Sequence, residues 1–98
     1  MTVTEHALLS VTPGQEAAFE SAMRHARPLI AHQPGFRSIR VERCVERSST
    51  YLLMVEWDSL ADHTEGFRRS AAYDEWRELL HHFYDPFPVV EHFEPVAL

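Results

Sequence analysis

The chain has 98 residues, of which 45% are hydrophobic and 24% charged, and this length and balance predict one folded domain, residues 1–98. The formal net charge is -6 and the nine basic residues are scattered, which argues against nucleic acid or an anionic membrane as a partner. The first residues lack a basic segment followed by an apolar run, and no run of about eighteen apolar residues occurs, so we expect a cytoplasmic protein that does not enter a membrane. The single cysteine, Cys44, excludes an internal disulfide and a cysteine-based zinc site, and we expect it to be a buried small hydrophobic residue.

The first half of the chain predicts a strand, a helix and two further strands. Residues 3–11 are rich in β-branched and aliphatic side chains and are followed by a Pro-Gly turn signal, which predicts the first strand. Residues 15–32 carry apolar side chains at spacings of three and four, typical of one face of a helix, and Pro28 should kink or divide that helix. Residues 36–46 alternate with a period of two and predict a partly exposed strand, and residues 50–57 predict another.

The second half predicts helices followed by a short strand. Ser59 precedes Asp62 by three positions, the pattern of a helix N-cap with an acidic residue in the first turn. Ser70 can cap a further helix that ends before Pro86 and carries on one side Tyr73, Trp76, Leu80 and Phe83. Residues 87–93 predict a strand with a proline near each end, which suits an edge position.

The order strand, helix, strand, strand, helices, strand predicts an α+β fold, a ferredoxin-like βαββαβ sandwich with one antiparallel sheet and helices on one face. The strand at residues 50–57 is apolar on both faces, with Leu52 and Met54 on one face and Leu53 and Val55 on the other. One chain of this size has helices for only one side of the sheet. We therefore expect a homodimer in which two sheets pack together, as in a dimeric α/β barrel.

Two side chains are candidates for proton and charge chemistry. His63 is flanked at helical distance by Leu60 and Phe67, so its imidazole should point toward the sheet, where it could accept a phenolic proton. The alternative is a packed or capping histidine. Arg77 lies near the core-facing edge of its helix and could reach an enolate, phenolate or peroxide oxygen. The alternative is a solvated arginine that pairs with Asp74 or with Glu78.

Aromatic side chains near these candidates predict the wall of a pocket. Trp57 ends a strand beside a helix start and is favoured as pocket wall, whereas core packing is favoured for Trp76. Tyr73 and Phe67 are expected to form wall rather than to act chemically. Each indole N–H needs a partner if buried, and a ligand oxygen could provide it.

The seven histidines do not predict a metal site. His81 and His82 are adjacent, so on a helix they diverge by about a hundred degrees and serve one ion poorly. His6 and His92 lie on predicted strands and could meet across the sheet, but this spacing gives little support for a metal. The sequence contains no nucleophile elbow, glycine-rich phosphate loop or HExxH pattern.

Three segments carry a family resemblance: PGFRSIRVER at residues 34–43, YLLMVEWDSLADHTEGFRRSAAYDEW at residues 51–76 and PFPVVEHFEPV at residues 86–96. Over nearly its whole length the chain resembles the antibiotic biosynthesis monooxygenase domain. The resemblance implies dimeric α/β barrels with a pocket between the sheet and the helices of each subunit. Some members oxidise aromatic polyketides to quinones with oxygen and no cofactor, and others degrade haem or isomerise signalling molecules.

The resemblance also assigns residues. Trp57 and Arg77 match positions of the cofactor-free polyketide oxygenases, whereas His63 stands where those enzymes carry a tyrosine and Leu53 where they carry an asparagine. The haem-degrading branch has an asparagine, a tryptophan and a histidine at positions that match His6, Phe67 and Arg77. Haem degradation is therefore disfavoured.

These observations lead to two hypotheses. The first is a cofactor-independent monooxygenase that oxidises a reduced polycyclic aromatic with O2 to a quinone, without metal or cofactor. Its catalytic residues would be His63, Arg77 and Trp57, and its substrate pocket would comprise Leu53, Phe67, Tyr73 and Trp76. The second is a non-catalytic dimer that binds an aromatic metabolite. A dimerisation module with too small a pocket and a haem-degrading or isomerase relative are further alternatives.

Overall fold

A computed structural model describes residues 2–98 and confirms the predicted order of elements. Strands β1 to β4 span Val3–Ser10, Phe36–Arg43, Thr50–Trp57 and Val90–Phe93. Helices α1 and α2 span Glu16–Ala31 and Ala71–Leu80, a π-helix spans Asp62–Phe67, and a 3-10 turn spans His81–Phe83. The sheet has the order β2-β3-β1-β4 with antiparallel neighbours throughout. This is the ferredoxin-like α+β arrangement.

Helix α1 packs on the sheet through the face that its periodicity predicts. Its buried residues are Phe19, Met23, Ala26 and Ile30. Pro28 lies within one continuous helix, so of the two expected effects, a kink or a division, the division does not occur. Pro28 is exposed and close to the C-terminal end, where water can satisfy the carbonyl that its missing N–H leaves unbonded.

The predicted strand at residues 36–46 is shorter in the structure. The strand ends at Arg43, and the chain then turns back into β3, with the Cys44 N–H donating to the Thr50 carbonyl at 2.8 Å. Because this turn leaves the sheet, Val45 is exposed and Cys44 is only partly covered. The prediction of a buried Cys44 is therefore wrong.

The last strand is also shorter than the predicted residues 87–93. It begins at Val90, after Phe87 and Val89, which are both exposed. Pro88 has no N–H to give to a ladder, which accounts for the late start. Strand β4 pairs only with β1 and forms one edge of the sheet, as predicted.

The two faces of the sheet differ in cover. The inner face of β3 is buried under the helices through Tyr51, Leu53, Val55 and Trp57. On the outer face, Leu52 and Met54 are partly covered, and Leu8 and Phe93 are exposed. Within residues 2–98, no helix combines the length and the apolar character needed to cross a bilayer.

Candidate active site

The inner face of the two central strands carries one acidic side chain. In β1, Glu5 points the same way as Ala7 and Leu9 and is only 5% exposed. The β1–β3 register pairs Val3 with Trp57, which makes Trp57 the diagonal neighbour of Glu5. The Trp57 indole N–H donates to Oε1 of Glu5 at 3.0 Å.

The π-helix adds a histidine to this pair. His63 is 2% exposed, and its ring stacks on the Trp57 indole with centroids 5.5 Å apart and an interplanar angle of 17°. Its Nε2 lies 3.4 Å from Oε1 of Glu5. Its Nδ1 shares a hydrogen bond of 2.7 Å with Nε2 of His92. The expectation that His63 points toward the sheet is confirmed.

Two local features fix the start of this helical segment. The predicted Ser59 cap is present, because its hydroxyl accepts the Asp62 N–H at 3.2 Å and donates to Oδ2 of Asp62 at 2.9 Å. Gly35, at a φ of +81°, lies directly against the same carboxylate. A Cβ on Gly35 would come within 2.1 Å of that oxygen, so only glycine allows this approach. The contact sets the position from which His63 enters the core.

Burial determines the charge states at the site. Desolvation raises the pKa of Glu5 to about 7, while the Trp57 N–H and the Arg68 guanidinium oppose the rise. Desolvation lowers the pKa of His63 to about 3, and the positive charges of Arg68 and His92 add to this effect. At neutral pH His63 is therefore uncharged, and Glu5 is divided between its two forms. A buried carboxyl group with a pKa near 7 is suited to general base chemistry.

A cavity of about 310 Å³ lies beside this pair, between the sheet and α2. Both Glu5 and His63 line it, and the rest of its wall is largely aromatic. All four predicted pocket residues lie in this wall, namely Leu53, Phe67, Tyr73 and Trp76. The volume is at the lower end of the roughly 300–1,000 Å³ of small-molecule sites.

Arg68, at the end of the π-helix, places a cation in the same wall. Its neighbour Arg69 forms an ion pair with Glu65 at 2.9 Å, but none of the ion pairs found among residues 2–98 involves Arg68. Its charge lowers the pKa of Glu5 and of His63, so it acts on both groups. Arg68 is thus placed to balance negative charge on a ligand.

The structure does not place Arg77 at the cavity. Its side chain is 59% exposed and its guanidinium lies 3.6 Å from the Asp74 carboxylate. Because α2 turns Trp76 and Leu80 inward, the following position is rotated by about a hundred degrees, toward solvent. The expectation that Arg77 reaches a substrate oxygen is therefore wrong.

Trp57 also differs from its predicted role. It is fully buried behind Glu5 and His63 and does not line the cavity. Its indole N–H has Glu5 as partner instead of a ligand oxygen. Trp76, for which core packing was favoured, does line the cavity. Trp57 thus supports the carboxylate, and Trp76 belongs to the wall.

The two strand histidines, whose meeting across the sheet was left open, do not meet. The β1–β4 register pairs His92 with Glu5 and His6 with Glu91, which puts His6 and His92 on opposite faces of the sheet. His6 packs against Phe93 at 5.3 Å on the outer face. No group of three or more histidine, cysteine or acidic side chains within the described residues is arranged to hold a metal ion.

Sequence reasoning missed Glu5, Arg68 and His92. One signal for Glu5 was available, since it shares the alternation of Ala7 and Leu9 and is an acidic residue on a predicted inner face. For Arg68 and His92 no comparable signal exists. The role of Arg68 depends on which side chains line the cavity, and that of His92 depends on the alignment of β4 with β1.

A second cavity, of about 340 Å³, lies between α1 and the sheet and is slightly larger. Its polar groups already satisfy one another. The Tyr51 hydroxyl donates to Glu20 at 2.6 Å, and Arg43 also donates to Glu20. This second cavity offers no buried carboxyl group with a raised pKa. We therefore place the candidate active site at the cavity lined by Glu5 and His63.

Fold and site together define an α+β domain with a buried carboxyl–imidazole pair at an aromatic cavity. The chain belongs to the antibiotic biosynthesis monooxygenase family, whose model matches residues 2–79. It is 50% identical to the uncharacterized protein YczJ of Bacillus subtilis (strain 168), over 96% of this chain and 99% of YczJ.

Solved structures agree with this family membership. A Bordetella bronchiseptica protein that carries the same family name superposes with a TM-score of 0.93 at 34% identity, covering 98% of each chain. SnoaB, a cofactor-independent oxygenase from Streptomyces nogalater, superposes with a TM-score of 0.79 at 20% identity, covering 99% of this chain and 95% of SnoaB. At that identity the second likeness concerns the fold alone.

Proposed function

We propose that this protein is a cofactor-independent oxygenase that converts a reduced polycyclic aromatic, of the anthrone or hydroxynaphthacene type, into a quinone with O2. The observation that carries the proposal is the position of Glu5, a buried carboxyl group with a pKa of about 7 in the wall of an aromatic cavity. Membership of the monooxygenase family and the fold shared with SnoaB support the same reaction class.

Glu5 would act as the base. The Trp57 N–H donates a hydrogen bond to Oε1, and Nε2 of His63 lies 3.4 Å from the same oxygen. No hydrogen bond to Oε2 occurs within the described residues. Since Glu5 lines the cavity, Oε2 is the oxygen available to a ligand. It can take a proton from an activated methylene carbon or its phenol tautomer, and this leaves an electron-rich carbanion or phenolate.

The reaction then needs no carrier of electrons. The anion transfers its electrons to O2 and forms a C–O bond, and the resulting peroxide receives the proton that Glu5 took. Loss of the remaining C–H proton with cleavage of the O–O bond gives a carbonyl group and one water. In sum, one CH2 group and one O2 give one C=O group and one H2O, so the carbon loses the four electrons that O2 gains.

Arg68 replaces Arg77 in this account. Negative charge develops first on the aromatic oxygen and then on the peroxide, and a cation near both lowers the energy of these states. Arg68 lies in the cavity wall, whereas Arg77 pairs with Asp74 at the surface. His63, being neutral and buried, serves as a polar neighbour of Glu5, 3.4 Å from its Oε1, instead of the primary base.

We also propose that the chain forms a homodimer through the outer face of its sheet. Leu8 and Phe93 are exposed there, next to Leu52 and Met54. Light scattering on purified protein tests this, with a dimer expected for the natural sequence and a monomer for Leu8→Lys. The matched control is Val45→Lys, an exposed valine in the turn before β3, which should remain dimeric.

Oxygen uptake with quinone detection tests the reaction. Protein freed of metal and haem is offered a panel of anthrones and hydroxynaphthacenes, with heat-denatured protein as control. The proposal predicts uptake of one O2 for each quinone formed. Tight binding of panel members without oxygen uptake would overturn it and favour a binding protein for aromatic metabolites.

A further inference from the structure

His92 contacts the buried pair, and the proposed reaction leaves it without a role. It lies opposite Glu5 in the β1–β4 register, and its ring centroid is 5.0 Å from that of His63. Its Nε2 is 2.7 Å from Nδ1 of His63. His92 is only partly buried on the edge strand, so this row of side chains begins in the core and ends at the surface.

We infer that Glu5, His63 and His92 form a proton path that connects the buried carboxyl group to solvent at the edge of the sheet. The inference rests on the proposed function, because it explains how the candidate base gains and loses its proton. Each imidazole has one nitrogen toward each neighbour, and a neutral imidazole can donate from one nitrogen while it accepts at the other. His63 and His92 share a hydrogen bond of 2.7 Å, and Nε2 of His63 faces Oε1 of Glu5 at 3.4 Å, a gap that a small shift of the ring would close to hydrogen-bond length.

The path interconverts two states of the site. In the first, Glu5 is ionised, the Nε2–H of His63 faces Oε1, and the Nε2–H of His92 donates to Nδ1 of His63. A solvent proton binds Nδ1 of His92, the Nε2 proton of His92 moves to Nδ1 of His63, and the Nε2 proton of His63 moves to Oε1. Glu5 is then neutral, and each imidazole remains neutral with its proton on Nδ1. The reverse series returns a proton to solvent and ionises Glu5 again.

The groups around His63 favour this concerted transfer over a charged intermediate. Burial lowers the pKa of His63 to about 3 and also lowers the pKa of His92, and the charge of Arg68 adds to both effects. Trp57, on β3, donates its N–H to Oε1 of Glu5 and makes no hydrogen bond to His63. Tyr84 lines the same cavity, and burial, together with the charges of Tyr73 and Glu5, raises the pKa of its hydroxyl, so it stays neutral. An isolated imidazolium is thus disfavoured, whereas simultaneous transfer leaves no charge on His63.

The path has a purpose once the cavity is filled. The Glu5 side chain is 7% exposed, and a flat ligand against it would separate the carboxyl group from water in the cavity. Nδ1 of His92 has no hydrogen bond within the described residues and can exchange with solvent. Glu5 can then gain or lose a proton while the ligand stays bound.

The protonation of the imidazole nitrogens tests the path without any substrate. ¹⁵N NMR of labelled protein, titrated across neutral pH, reports which nitrogen of His63 carries the proton. We expect Nε2–H when Glu5 is ionised and Nδ1–H when it is neutral, with no change in Glu5→Gln. His25→Gln, which alters an exposed histidine on α1, should keep the change. A proton on the same His63 nitrogen throughout would overturn the path.

Deuterium exchange tests whether protons travel along it. Anthrone is mixed with protein in D2O without O2, and two quantities are followed: deuterium entering the methylene group and the absorbance of the anthrone anion. In His92→Gln we expect deuterium entry to fall about tenfold, because the abstracted proton returns to the ligand, while anion formation stays within about twofold. An equal fall of both would indicate a structural role and contradict the inference.

The two tests also separate this inference from the proposed function. If no aromatic compound is oxidised but the His63 proton changes nitrogen with the charge of Glu5, the path stands and the oxygenase proposal fails. If quinone forms but deuterium entry in His92→Gln matches the natural sequence, the oxygenase stands and the path fails.

Discussion

Trp57 donates its indole N–H to the Glu5 carboxyl group across 3.0 Å, between the two central strands of the sheet. Both residues are buried, and they are 52 positions apart in the sequence. The hydrogen bond fixes the position of Oε1 and leaves Oε2 available at the cavity. A tryptophan at a strand end thus positions the proposed base from outside the cavity.

The stability of the protein should fall as Glu5 ionises. Its folded pKa is about 7 against an ordinary value of 4.5, so its contribution is complete below pH 4.5 and is lost as the pH rises through 7. Glu5→Gln removes this titration. We expect the variant to gain stability relative to the natural sequence between pH 4.5 and 7, by roughly 3 kcal/mol at most.

Urea denaturation at a series of pH values measures this difference. The contribution of His63, whose lowered pKa has the opposite sign, is present in both proteins and largely cancels in the comparison. Glu75→Gln, the same change on the exposed side of α2, is the matched control. If the difference in unfolding free energy between Glu5→Gln and the natural sequence did not change with pH, the Glu5 carboxyl group would ionise as in an unfolded chain.

Loss of the indole donor should make Glu5 a weaker acid. The Trp57 N–H lowers the pKa of Glu5, so Trp57→Phe is expected to raise it above about 7. ¹³C NMR of the Glu5 carboxyl carbon measures the shift. Trp76→Phe removes an indole that does not contact Glu5 and should leave the titration in place. An unchanged pKa in Trp57→Phe would mean that the hydrogen bond does not act on the charged form.

Arg68 and Arg69 offer a matched pair of cations. Arg68→Gln should lower kcat/KM by about tenfold and move the midpoint of its pH profile upward, because the cation stabilises both the Glu5 carboxylate and the ligand anion. Both arginines are exposed, but Arg69→Gln should change neither quantity, since Arg69 pairs with Glu65 and does not line the cavity. Equal effects of the two changes would point to general surface charge instead of a local contact.

Gly35 should be more sensitive to a methyl group than Gly14. Both have a positive φ, but a Cβ at Gly14 meets nothing within 4 Å, whereas one at Gly35 meets the Asp62 carboxylate. Gly14→Ala is expected to cost roughly 1 kcal/mol of unfolding free energy and Gly35→Ala roughly 1–3 kcal/mol more. Urea denaturation of both variants measures this, and equal losses would contradict the contact.

The fold could be predicted because its signals are local. The alternation in β3 and the spacing of Phe19, Met23, Ala26 and Ile30 in α1 each arise within one element and match the burial in the structure. The serine caps at Ser59 and Ser70 are equally local and both form. Ends of strands were less predictable, because they depend on where neighbouring strands stop, as at Arg43.

The site could be predicted only in part, since it depends on register. The wall residues were found because each is an apolar or aromatic side chain on the inner face of its own element. The pairing of Glu5 with His92 requires the β1–β4 alignment, and that of Glu5 with His63 requires the position of the π-helix. Arg77 was misplaced because a helix position next to a buried tryptophan can face either way.

Oxygen uptake by Glu5→Gln, compared with the natural sequence and with Glu75→Gln, tests whether Glu5 is the base of the proposed oxygenase. Glutamine keeps the size of the side chain but cannot take a proton. We expect the natural protein and Glu75→Gln to oxidise an anthrone or hydroxynaphthacene to a quinone, and Glu5→Gln to lose about 10²–10⁴-fold in kcat. Turnover by a folded Glu5→Gln at the rate of the natural protein would contradict it.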